Sequence, residues 1–112
     1  MKLLIPTFFT LLLLGFAGSS YGQDFEETKL LAEQGIADAQ YNLGVMYDYG
    51  NGVPENAVRA YVWLSVAAAE GDKSAKEAID SVRKVLTFRP GELARGQEIA
   101  TKCFESDYQD CE

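Results

Sequence analysis

The sequence predicts an all-α fold, a short solenoid of antiparallel helix pairs with about five helices, and three observations carry that prediction. Beyond residue 23 no stretch alternates apolar and polar residues with the β-branched enrichment of a strand. Apolar residues recur instead at spacings of three and four: Ala39, Leu43, Met46 and Tyr47, then Ala57, Ala60, Tyr61, Leu64, Ala67 and Ala68, then Ala75, Ala78, Ile79, Val82 and Leu86. The breaks between these runs also repeat. Ala32-Glu33-Gln34-Gly35 answers Ala68-Ala69-Glu70-Gly71 at a spacing of 36 residues, Ala39 answers Ala75, and Leu43 answers Ile79. A period of that length, with two helices to each unit, is the sequence form of an α-solenoid.

The elements follow in order. Residues 1–22 have the layout of an export signal: Lys2 supplies a positive start, Leu3 to Phe16 form an apolar run of 14 residues, and Ala17-Gly18-Ser19-Ser20 offers small residues for cleavage after Ser20 or Gly22. The apolar run is short of the roughly 20 residues a helix needs to cross hydrocarbon. A cleaved, exported chain with no stable membrane insertion is therefore expected, most naturally in a bacterial periplasm, where cysteines can be oxidised. Helices are expected at 24–34, 37–49, 55–70, 73–87 and 91–104, separated at Gly35, at Gly50 to Pro54, at Gly71-Asp72 and at Arg89 to Gly91. Gly35 and Gly71 stand where a helix end calls for positive φ, and Pro90 suits the first turn of the last helix. The helical domain is expected over 23–104, followed by an acidic tail at 105–112. Small residues (Ala39, Gly44, Ala60, Ala67 and Ala68) let helix backbones approach, while Leu43, Tyr47, Trp63 and Leu64 fill the remaining space.

The stretch from Ala32 to Tyr47, AEQGIADAQYNLGVMY, with Gly52-Val53-Pro54, Arg59 to Leu64 and Ala67 to Gly71 after it, resembles the Sel1-like repeats, a branch of the tetratricopeptide-like solenoids. The resemblance spans 32–71 and implies antiparallel helix pairs in a right-handed superhelix, used in general as adaptors that hold other proteins. Beyond it the pattern decays. Asp80 stands at the Gly44 position and Arg83 at the Tyr47 position, so 73–87 resembles a degenerate first helix, 91–104 a closing helix and 24–34 the second helix of a preceding unit.

In such solenoids the first helix of each pair lines the inner curve. With Leu43, Gly44 and Tyr47 on the packed side, Asp38, Tyr41, Asn42, Val45, Asp48 and Tyr49 turn the other way, and their mixture of aromatic ring, amide and carboxylate suits a peptide or helix of another protein. The same residues also fit half-buried packing and a solvated face. Tyr61 and Trp63 are expected to pack within the second helix. An accessory or inhibitory subunit of a larger exported protein would display the same face, and self-association is left open.

Other function classes find little support. The chain carries 10 Lys and Arg against 17 Asp and Glu, and removing 1–22 takes only Lys2 among the charged residues, moving the net charge from −7 to −8. That balance opposes nucleic-acid binding, which needs clustered cations. With no histidine and two cysteines, neither a histidine-activated nucleophile nor a histidine-ligated or four-thiolate metal site can be assembled, and no catalysis, metal or cofactor is expected. Asp48, Asn51 and Glu55 flank a glycine turn, but Gly50 and Arg59 occupy the third and twelfth positions of what would be a calcium loop. Cys103 and Cys111, an even pair in an exported chain, are expected to form a disulfide tying the tail to the last helix. The alternative is a buried Cys103 with a free or intermolecular Cys111.

Overall fold

The computed structural model describes residues 20–112, with side chains from residue 24 onward. The segment expected to be an export signal, residues 1–22, lies outside the described residues except for its last three positions, which open the first helix. Five helices follow one another: α1 (Ser20–Glu33), α2 (Ala37–Tyr49), α3 (Ala57–Ala69), α4 (Lys73–Thr87) and α5 (Glu92–Glu105). Among the described residues there is no strand.

The expected helices at 37–49 and 73–87 have the observed limits, and the other three are displaced. Helix α3 begins at Ala57 because Asn56 is its cap, its side chain accepting the Arg59 N–H at 3.0 Å. Asp72 serves α4 likewise, accepting from the Ala75 N–H at 2.9 Å. Pro90 stays outside α5, contrary to expectation. Gly91, at φ +82°, turns the chain after Pro90 and caps a helix that starts at Glu92. Helix α2 ends at Gly50, whose left-handed conformation (φ 70°, ψ 36°) lets its N–H reach back to the Met46 carbonyl.

Helix α3 is the axis of the molecule. Ala57, Ala60, Tyr61, Val62, Trp63, Leu64, Val66 and Ala67 are all buried, because α2, α4 and α5 pack against different sides of it. A helix apolar around nearly its whole circumference must be surrounded. Helix α1 closes the stack over α2, with Ala32 fully buried and the Phe25 ring edge-on to Tyr47 at 5.8 Å between centroids. Gln40, also fully buried, donates from Nε2 to the Ala32 carbonyl at 3.1 Å and so fastens α2 to the end of α1.

Candidate protein-binding groove

Two close approaches fix how the helices sit. A Cβ on Gly44 would lie 2.8 Å from Leu64 Cγ and 3.2 Å from the Leu64 backbone nitrogen, so α2 and α3 touch where side chains would otherwise intervene. At Gly96 a Cβ would lie 2.9 Å from Tyr61 Cδ1, which brings α5 down onto α3. Helix α5 therefore leans on α3 more than on α4. Asp80 and Arg83 remain on an exposed side of α4, paired with each other at 3.1 Å.

With α2 and α4 both held against α3, a groove of about 380 Å³ opens between them, floored by Leu64. Four of the six sequence candidates meet there: Tyr41, Val45, Asp48 and Tyr49 form the α2 wall. Asp38 and Asn42 do not join them and lie exposed on α2. The α4 wall consists of Ser74, Glu77, Ala78 and Ser81, none of which the sequence marks as part of a binding face. Yet these are the residues 36 positions after Asp38, Tyr41, Asn42 and Val45, so applying the repeat period to the candidate face would have found them.

The groove is electrostatically one-sided. Its lining contains two carboxylates, Asp48 and Glu77, and no lysine or arginine. Burial pushes the Asp48 carboxyl above the usual carboxylate range, and the neighbouring Glu55 charge adds to the effect. Among the described residues none of Asp48, Glu55 and Glu77 takes part in an ion pair.

The residues of the repeat pattern lie inside or at the turns. Ala39, Leu43, Tyr47, Ala60, Trp63, Leu64 and Ala67 are buried, and Ala68 is half-buried. Gly35, Gly52 and Gly71 stand at φ +89°, +74° and +98° in the connections. Tyr61 and Trp63 are buried in α3. Arg59 lies over the Tyr47 ring at 5.7 Å.

A family model described as the Sel1 repeat matches residues 37–72. The chain carries a Sel1-like repeat. The match begins at α2 and runs to the cap of α4, so the α2–α3 pair is the Sel1 repeat itself, and the groove lies between its first helix and the helix that follows. The chain is also similar to the alginate biosynthesis protein AlgK of Azotobacter vinelandii, with 29% identity over 86 residues, or 76% of this chain. It spans 18% of that protein's length. No solved structure matches.

The side of the molecule away from the groove holds a feature the sequence described only in outline. Cys103 and Cys111 are joined by a disulfide across eight residues. Asp107 and Tyr108, both in the left-handed region at φ 53° and 68°, reverse the chain directly after α5. The tail then lies across α1 and α3. Tyr108 donates its phenol to the Glu70 carboxylate, Gln109 donates to the Glu33 carbonyl at 3.0 Å, and the Glu112 carboxylate lies 3.6 Å from both Lys29 and Arg59. Burial and the Glu70 contact hold the Tyr108 phenol well above its ordinary pKa, to about 12. Residues 106–112 are thus a strap, where the sequence indicated a polar tail anchored at one point.

Proposed function

We propose that this chain is a non-catalytic protein-interaction module that holds a segment of another protein in the groove between α2 and α4. Repeats of this family serve in general to bind proteins, and the observation that supports this particular surface is the convergence of Tyr41, Val45, Asp48 and Tyr49 with the α4 residues Ser74, Glu77, Ala78 and Ser81 across one groove. Tyrosines supply rigid contact area at little entropic cost, and Leu64 offers an apolar floor. We place the module outside the inner membrane of a bacterium, after removal of residues 1–22. The composition of that segment and the oxidised Cys103–Cys111 pair support export, and no described helix is long and apolar enough to cross a membrane.

Site-directed photocrosslinking tests the groove. A benzophenone side chain at Ser81 should capture a discrete protein in cells, whereas the same probe at Glu27 should not. Val45→Arg should abolish the capture at Ser81 while leaving the helical content unchanged. Equal capture at both positions would mean that the surface used lies elsewhere.

A further inference from the structure

The groove has a polarity that its repeat ancestry does not require. Of its nine lining residues, two are carboxylates, two are tyrosines, two are serines and none is cationic. Glu55 adds a third negative charge beside Asp48. Elsewhere four acids are ion-paired, Asp80 with Arg83, Glu92 with Arg89, Glu98 with Lys102, and Glu112 with Lys29 and Arg59, while others such as Glu26 and Glu27 stand on open surface and not in a cleft. The groove carboxylates stand on opposite walls of a cleft whose lining carries no positive charge. An isolated carboxylate in a partly desolvated site is costly unless something offsets it, and the arrangement suits an incoming cation. Tyr49 is 72% exposed at the rim, so its ring face is available to a guanidinium or ammonium group.

We propose that the segment held in the α2/α4 groove is basic, presenting lysine or arginine side chains that reach Asp48 on one wall and Glu77 on the other, with the Tyr41 and Tyr49 rings flanking its apolar stems. This rests on the groove being the binding surface. Arginine and lysine fit both demands, since their stems lie along apolar surface while the charged head seeks a carboxylate. The overall negative charge of the chain, −7, steers such a segment towards the molecule, and the groove sets two carboxylates in a lining that has no cation.

Selection of random dodecapeptides displayed on phage, against the full exported protein, tests both ideas separately. Peptides retained by the wild type should be enriched in Lys and Arg. Asp48→Asn and Glu77→Gln should each weaken the best peptide about threefold to tenfold, and a Glu26→Gln, Glu27→Gln double variant on α1 should leave its affinity unchanged. If retained peptides lack a basic excess yet lose affinity on Val45→Arg or Tyr49→Ala, the groove stands as the binding surface and the basic segment is wrong. If the α1 double variant weakens them as much as the groove variants do, the attraction belongs to net charge and the proposal fails. Peptides indifferent to Val45→Arg, or no enrichment at all, would overturn the groove together with its proposed occupant.

Discussion

Gly44 shows how much of this molecule is decided by the absence of a few atoms. Any side chain there must displace Leu64, first its Cγ at 2.8 Å and then its backbone nitrogen at 3.2 Å, and a backbone atom cannot swing aside as a rotamer can. Overpacking of this kind costs about 1–3 kcal/mol, and each kcal/mol moves the melting midpoint of a domain this size by about 4–8 °C. Gly44→Val should therefore melt several degrees below the wild type, while Glu26→Gln on the exposed side of α1 should melt with it. Asp48 behaves in the opposite direction. Its pKa is raised in the folded state by burial and by Glu55, so above the carboxylate range the folded form carries a charge it would rather lose, and below that range the penalty disappears. Asp48→Asn should raise the midpoint at pH 7, with the gain shrinking to nothing as the pH falls below the carboxylate range. Scanning calorimetry at several pH values checks both the size and the sign. The importance of Gly44 was legible in the sequence, because small residues fell into register with the repeat. The environment of Asp48 was not, since neither its burial in the groove nor the nearby charge of Glu55 follows from spacing along α2.

At the scale of the element, the sequence indicated all five helices, because a period of three to four survives any arrangement of neighbours. Their ends were less legible. A cap is made by one side chain and one N–H, as at Asn56 and Asp72, and polar residues ahead of a helix are too common to reveal which of them turns inward. The partner of α5 was hidden for a different reason. Repeat logic assigns a second helix to the first helix before it, but Gly96 over Tyr61 brings α5 onto α3. Gly96→Ala should consequently destabilise by about 1–3 kcal/mol, as read from urea unfolding. A null result there would mean that the Tyr61 ring yields freely. The strap of residues 106–112 is held in part by long-range contacts that no local pattern announces. Its ion pairs, at 3.6 Å and partly exposed, are weak, so the disulfide is the stronger tie. Cys111→Ser, or reduction of the wild type, should cost about 2 kcal/mol for a loop this short. It should also make the amides of residues 107–110 exchange rapidly with solvent.

For the whole molecule, the small number of repeats sets the character of the fold. One Sel1-like pair with helices on both sides has few nearest-neighbour interfaces over which to spread a defect, which is why single positions such as Gly44 and Gly96 weigh so heavily. The proposed export segment makes a whole-chain prediction: intact-mass measurement of protein recovered outside the cytoplasm should give a chain beginning at Tyr21 or Gln23. Retention of Met1 to Phe16 in a membrane pellet would contradict it. A solenoid ordinarily has two free ends, and its first and last units never meet. Here the strap joins them, since Gln109 reaches Glu33 and Glu112 reaches Lys29 over separations of 76 and 83 residues. Loop closure over such a span becomes favourable only after the helices between have already shortened the path. The order of assembly is thereby fixed: α2 and α3 can pair as neighbours, α4 and α5 can follow, and the seam between tail and first helix closes last, turning a linear stack into a closed circuit.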